Sequence, residues 1–170
     1  MKYFVHIKNN MIIGKGQCKF LNKNILNIDV PKEVYDNIEQ YIYEDNKVVL
    51  NSNYEQIRLE LKKQELIKLN DIERDKKLEE GVVYNNILFD SDTDQKINLL
   101  AMYNTMSDDD TILWYGLDNQ PLLCAKSDLL EIGKLITDLH KFCWNNNAFI
   151  KEQIDKAKTI EELEEISVKY

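Results

Sequence analysis

The longest amphipathic pattern in the chain runs from Ser127 to Lys158 and contains no proline. Its apolar residues recur at steps of three and four positions, which is the period of one helix face. They are Leu129, Ile132, Ile136, Leu139, Cys143, Ile150, Ile154 and Ala157. A second row, formed by Leu135, Phe142 and Phe149, is expected to widen this face. Because the hydroxyl of Ser127 can accept from the free amides of a first turn, we expect Ser127 to be the N-cap. The pattern predicts a helix of roughly 45 Å.

A second long helix is predicted from Tyr54 to Glu80, where strong helix formers follow one another without a glycine. Its apolar stripe consists of Ile57, Leu61, Leu66, Leu69 and Ile72. Lysines interrupt a strict heptad, so the stripe favours packing on the chain or a loose bundle over a true coiled coil. We expect this helix to mediate a partner contact, and Gly81 is well placed to cap its end.

Strands are predicted where short apolar or alternating segments lie between turn residues. Hairpins with Asn-Asn or Asp-Asn turns are predicted at residues 2–16, 41–50 and 82–90. Further strands are predicted at residues 24–30, 111–115 and 121–125. Shorter helices are expected to begin at Pro31, at Asp92 and at Thr159, which forms a capping-box spacing with Glu162.

Together these elements predict an α+β protein. Residues 1–50 would form a small β-rich N-terminal module, and residues 51–80 a long connecting helix. Residues 81–170 would form a C-terminal domain of β-hairpins plus long helices. The 170 residues are enough for one domain or two small ones.

The charge balance excludes some classes of partner. The formal net charge is -8, and lysines and arginines alternate with acidic residues instead of forming a basic patch. Because such a chain repels phosphate, we expect no nucleic-acid partner. No apolar run approaches the roughly 20 residues that a membrane span needs, so we expect no membrane partner.

The residues with reactive side chains indicate no enzyme and no cofactor. Cys18, Cys124 and Cys143 lie in apolar contexts, and we expect all three to be buried and reduced. His6 and His140 are the only histidines, which is too few for a convincing metal site. The acidic loop 108–110 lacks the glycine and terminal glutamate of a calcium-binding loop, so a solvated turn is favoured.

Three aromatic residues admit two interpretations. Trp114, Tyr115 and Trp144 could stack on sugars, as a glycan-binding module would require. They could instead anchor the hydrophobic core, and this second interpretation is favoured. They are therefore predicted only as a possible surface aromatic contact.

The segment from Gly81 to Ile166 resembles the domain of unknown function found at the C-terminal end of phage tail-fibre and tail-fibre-assembly proteins. The residues that carry the resemblance are Tyr84-Asn85-Asn86, Phe89-Asp90, Gln95, Asn98, Leu99, Trp114, Asp118-Asn119, Pro121, Ser127 and the run from Ile154 to Leu163. The N-terminal half resembles the β-rich leaders of small phage tail-module proteins. This family has no established active site, so the resemblance implies no catalytic residue.

The resemblance implies a non-enzymatic structural component of a phage, a prophage or a phage-tail-like particle. Its partners would be a tail-fibre or baseplate protein and further copies of itself, in a homo-oligomer. It would be made in the host bacterial cytoplasm and located in the virion tail. Two alternatives stay open, namely a cytoplasmic tail-fibre assembly chaperone and, less favoured, a glycan-binding module at the fibre tip.

Overall fold

The computed structural model describes all residues, 1–170, and confirms the predicted α+β class. The chain forms two compact units, residues 1–60 and residues 61–170. The predicted division into three parts, residues 1–50, 51–80 and 81–170, stays a prediction. No helix is both long and apolar enough to cross a lipid bilayer.

The first unit contains a three-stranded antiparallel sheet in the order β2-β1-β3 and a separate hairpin, β4-β5. Its elements are β1 (Tyr3–Lys8), β2 (Met11–Gly16), β3 (Leu26–Val30), α1 (Lys32–Asp36), β4 (Tyr41–Glu44) and β5 (Lys47–Leu50). Val5, Ile7 and Val30 form its buried core. The short helix predicted to begin at Pro31 ends at Asp36 and is followed by a 3-10 turn.

The hairpin turns predicted from the sequence are confirmed. Both residues of Asn9-Asn10, Asp45-Asn46 and Asn85-Asn86 have positive φ. Asparagine and aspartate tolerate this conformation better than other non-glycine residues, and two such residues give a turn whose twist matches the flanking strands. These dipeptides therefore set the register of three hairpins.

The second unit is built from four helices and two hairpins, to which the helix α2 (Tyr54–Glu79) contributes residues 61–79. The other elements are β6 (Val82–Tyr84), β7 (Ile87–Phe89), α3 (Thr93–Thr105), β8 (Thr111–Tyr115), β9 (Pro121–Ala125), α4 (Lys126–Lys156) and α5 (Ile160–Glu164). Gly81, with φ of +69°, follows α2, and a Cβ there would lie 2.3 Å from the carbonyl oxygen of Phe89. The predicted glycine stop is therefore required by both backbone conformation and space.

The core of the second unit forms around α4. Leu129, Ile132 and Ile136 of α4 are almost completely buried and pack with Phe89 and Leu99. Cys143, Ile150 and Ile154 continue the same buried face toward the end of the helix. The principal apolar face of this helix is thus placed as its three- and four-residue spacing predicts.

Two predictions about α4 are wrong. Its N-cap is Ala125 and not Ser127, and the Ala125 amide donates to Asp128 Oδ2 at 2.8 Å. The second row does not widen the buried face, because Leu135, Phe142 and Phe149 are 38%, 50% and 57% exposed. These side chains point roughly 100° away from the centre of the buried face, as expected for a seven-residue repeat placed to one side.

Candidate functional site

The predicted stripe on α2 points largely into solvent. In the second unit, Leu61, Leu69 and Ile72 are exposed by 56%, 43% and 51%. Leu66 is half-buried, because it projects from a different side of the helix. Ile57, in the first unit, is also exposed. Leu61, Leu69 and Ile72 therefore each leave about half of their surface in solvent, and we call these three residues the α2 apolar face.

The opposite side of α2 is polar where it meets α4. Asn70 is fully buried, and its amide nitrogen donates to the carbonyl oxygen of Asn147 at 3.0 Å. Its side-chain oxygen accepts from the hydroxyl of Tyr170 at 2.6 Å. Because every buried polar group needs a partner, these bonds fix both the rotation and the depth of α2 on α4.

Asp71 joins three further side chains beside Asn70. Its Oδ1 atom accepts from Lys151 at 2.7 Å, from Asn147 at 3.0 Å and from Arg74 at 3.0 Å. Burial alone would raise the pKa of this carboxyl, but the hydrogen bonds and the two positive charges together hold its pKa below the usual value. The ionised carboxylate is thus part of the contact between α2 and α4.

Two more hydrogen bonds hold this arrangement along its length. The Lys63 ammonium donates to the Asp155 carbonyl oxygen at 2.7 Å, near the other end of the helix pair. The Asn146 amide donates to the Lys169 carbonyl oxygen at 2.8 Å and holds the segment that carries Tyr170. The structure therefore presents the α2 apolar face on a helix whose other side is fixed.

Two charged residues of opposite sign lie between Leu61 and Ile72 of the α2 apolar face. Leu61, Glu65, Lys68 and Ile72 follow one another at steps of four, three and four residues, so they lie in one row. Glu65 and Lys68 are exposed. In a contact formed through this row, the Glu65 carboxylate and the Lys68 ammonium would lie at the centre, and Leu61 and Ile72 would lie at the two ends.

The three aromatic residues considered for sugar binding have different surroundings. Trp114 packs against the core of the second unit, in agreement with the core-anchor interpretation. Tyr115 follows it on β8, so its side chain leaves the opposite side of the strand, where it is 56% exposed. Trp144 lies on α4, and the Arg74 guanidinium covers its ring at 4.4 Å. Trp114 and Tyr115 thus do not share a face.

Three of the residues from which the resemblance was predicted, Tyr84, Asp118 and Asn119, have structural roles. Tyr84 donates to Asp128 Oδ1 at 2.6 Å, and this bond ties β6 to the first turn of α4 and raises the pKa of Tyr84. Asn119 has φ of +60°, and Asp118 Oδ1 accepts from the Gln120 amide within the same turn. Tyr84 therefore ties a hairpin to α4, whereas Asp118 and Asn119 shape the turn between β8 and β9.

Gly116 brings the turn before β9 close to the β6-β7 hairpin. A Cβ at Gly116 would lie 2.4 Å from the Ile87 Cγ2 atom and 2.6 Å from the Leu88 carbonyl oxygen. The neighbouring Leu117 amide donates to that same carbonyl oxygen at 2.8 Å. Only glycine allows this approach.

The cysteines differ in burial. Cys124 and Cys143 are fully buried, as expected, but Cys18 is exposed, so its predicted burial is wrong. Burial raises the pKa of the Cys124 thiol to about 11, with a further contribution from Asp128. Burial also raises the pKa of the Cys143 thiol. Both buried thiols are therefore protonated near neutral pH.

The remaining polar clusters serve local structure. Asp110 accepts from the Ser107 amide and Asp108 pairs with Lys126, so these acidic side chains shape the turn before β8. No group of three or more histidine, cysteine, aspartate or glutamate side chains is close enough to hold a metal ion. Thr159 accepts from the Glu162 amide at the start of α5, as its capping-box spacing predicts.

Sequence reasoning missed the polar contact between α2 and α4. One signal for it is present in the sequence, since Asn70 is a poor helix former in the middle of a long helix of good ones.

A comparison of the chain with models of protein families, with curated proteins and with solved structures finds no match.

Proposed function

We propose that the chain is a non-enzymatic structural component of a bacteriophage tail or phage-tail-like particle, associated with the tail fibre or baseplate. We propose further that copies of it associate through the α2 apolar face. The exposure of Leu61, Leu69 and Ile72 on a helix held by Asn70 is the observation that carries the proposed self-association. The resemblance of residues 81–166 to phage tail-fibre-associated domains supports the assignment to a tail.

The row of charges on α2 favours a second copy of the same chain as its occupant. Two antiparallel copies related by a two-fold axis between residues 66 and 67 would place Leu61 opposite Ile72. The same axis would place Glu65 opposite Lys68, so both pairs are complementary. Because the apolar contact is small, we expect an association in the micromolar range.

Charge reversal tests this self-association. Glu65→Lys places two ammonium groups opposite each other, so we expect it to weaken the dimer at least about tenfold in sedimentation equilibrium. The double variant Glu65→Lys/Lys68→Glu restores opposite charges and should recover the dimer. Glu164→Lys, which makes the same change of charge on α5, is the matched control.

Two experimental results would contradict the proposed dimer. A monomer for the unaltered chain at about 1 mM, far above the expected range, would exclude the dimer. Failure of the double reversal to recover association, with circular dichroism unchanged, would exclude the antiparallel arrangement.

The assignment to a tail is tested by mass spectrometry of density-purified particles of the phage or prophage that encodes the chain. A stoichiometric signal for this chain is the expected result, because a structural component stays in the finished particle. Abundance in the lysate together with absence from the particles would contradict the proposal, and would favour the alternative of a tail-fibre assembly chaperone.

A further inference from the structure

An open cleft lies between α3 and α4, away from the α2 apolar face. Its volume is about 440 Å³. Leu99 and Leu129 form its floor, and Leu100, Tyr103 and Leu130 stand at its sides. Leu100 and Leu130 are 61% and 40% exposed, so the cleft leaves apolar side chains in water that a partner could cover.

A glycine in the third turn of α4 opens into this cleft. Gly133 lies eight positions into the helix, where glycine weakens helix formation relative to alanine. A Cβ built on Gly133 would meet no atom within 4 Å, so packing inside the chain does not require a glycine. Its absent side chain instead leaves room for an outside group to approach the helix backbone closely.

Three lysines surround the cleft. Lys96 stands on α3, and Lys134 and Lys141 stand on α4, whereas Asp138 is the one carboxylate in the lining. The lining therefore carries a net positive charge on a chain whose overall net charge is -8. Lys134 pairs with Glu131 at 2.6 Å and Lys141 with Asp138 at 3.9 Å. Such exposed pairs are weak and can exchange their partners.

The walls of the cleft are held together at both ends. His140 on α4 donates from Nε2 to the Ser91 carbonyl oxygen at 2.8 Å, which leaves Nδ1 to accept from the Lys96 ammonium at 3.3 Å. At the other end, the Lys126 ammonium lies 5.4 Å from the centre of the Tyr103 ring. The cleft is therefore formed before a partner arrives, which lowers the entropic cost of binding.

We propose that this cleft binds an amphipathic helix of a partner protein, with its apolar face on the cleft floor and acidic residues along its edges. The apolar floor suits side chains at helical spacing, and the three lysines suit flanking carboxylates. Gly133 allows the two helices to approach closely at the centre of the contact. This interaction uses none of the residues of the α2 apolar face, so it goes beyond the proposed self-association.

A displayed library of 18-residue amphipathic helices, varied in the charge of the flanking positions, identifies the preferred occupant. We expect selection on the full chain to enrich peptides with glutamate or aspartate on both flanks. The enriched peptide, labelled with fluorescein, should bind with a Kd on the order of 10 μM in fluorescence anisotropy.

Gly133→Leu is the decisive variant, because it fills the centre of the cleft with a side chain that favours helix. We expect at least about tenfold weaker peptide binding and a melting temperature that does not fall. Lys134→Glu/Lys141→Glu should give a similar loss through charge alone, so the test does not depend on one variant. Lys158→Glu, on an exposed residue outside the cleft, should leave the Kd unchanged.

Three results would overturn the proposal. The first is a selection that enriches no acidic amphipathic helix. The second is unchanged peptide binding by a folded Gly133→Leu variant. The third is binding to vesicles of phosphatidylglycerol that Gly133→Leu abolishes, without peptide binding, because the cleft would then recognise a lipid surface. Glu65→Lys should leave peptide binding intact, so failure of the dimer and failure of the cleft can be told apart.

Discussion

Helix α4 buries Leu129, Ile132 and Ile136, whereas the part of α2 in the same unit buries Asn70 and leaves Leu61 and Leu69 in water. Both helices are long, and both carry apolar residues at helical spacing. In α4 the burial of apolar surface fixes the position of the helix. In α2 a network of hydrogen bonds fixes it, and the apolar side chains remain available.

The difference shows that the buried side of a helix is decided by what its neighbour offers. Along α4, the side that faces α2 carries the Asn147 carbonyl, which accepts from Asn70, and the Lys151 ammonium, which donates to Asp71. An apolar α2 face placed there would lose the hydrogen bond to Asn147 and the ion pair to Lys151. The polar side of α2 therefore faces inward, and the apolar stripe faces out.

Truncation of the α4 core should have the largest effect on stability. Ile136 is completely buried, so Ile136→Ala removes apolar contacts and leaves a cavity. We expect the free energy of unfolding to fall by about 3 kcal/mol in urea denaturation. A loss below about 1 kcal/mol would mean that the core is less closely packed than this structure shows.

Removal of the central polar group of α2 should have a smaller but distinct effect. Asn70→Ala removes the hydrogen bonds of this side chain to the Tyr170 hydroxyl and to the Asn147 carbonyl oxygen, and we expect a loss of about 2 kcal/mol. Asn145→Ala, at an exposed position on α4, is the matched control and should change stability by less than about 0.5 kcal/mol. Equal effects of the two variants in urea denaturation would argue against a network centred on Asn70.

Asp71 should make the contact between α2 and α4 sensitive to acid. Its pKa in the folded chain lies below its ordinary value of 3.8, so its contribution to stability is present above that pH. The contribution is lost as the pH falls through the lower folded pKa. We expect Asp71→Asn to unfold at a lower urea concentration than the unaltered chain at pH 6, with the difference shrinking towards pH 2. A difference that stays constant would contradict the role of the charge.

The α2 apolar face should contribute least to the stability of the single chain. Ile72→Gln replaces a side chain that is 51% exposed, so we expect a change within about 0.5 kcal/mol in the free energy of unfolding. The same substitution should lower the mass measured by light scattering at high concentration, because it removes apolar contact between copies. A large loss of stability without any change in mass would place Ile72 in the packing of its own unit.

Local signals in the sequence predict the hairpins and the principal buried face of α4. The Asn-Asn and Asp-Asn turns are read directly, because few other residues accept positive φ at two successive positions. Helix boundaries are less well determined, since Asp128 caps the amide of Ala125 and makes the Ser127 hydroxyl unnecessary as a cap. Periodicity also placed the row from Leu135 to Phe149 with the buried face, although its repeat follows the edge of that face.

The candidate sites depend on pairings across long distances in the sequence. The cleft requires α3 to meet α4 beside Gly133, and the α2 apolar face requires Asn70 to meet Asn147 and Tyr170. A single sequence contains no local pattern that shows which distant residues come into contact. The same reason explains the error at Cys18, whose apolar neighbours suggested burial although the structure leaves it exposed.

The bond between Asn70 and Tyr170 also has a consequence for the newly made chain. The two residues are separated by 100 positions, and a ribosome adding 5 to 20 residues per second needs roughly 5 to 20 s to make that length. Throughout this interval the Asn70 side chain lacks the phenol that it binds in the finished fold. The polar side of α2 is therefore completed only when residue 170 has left the ribosome.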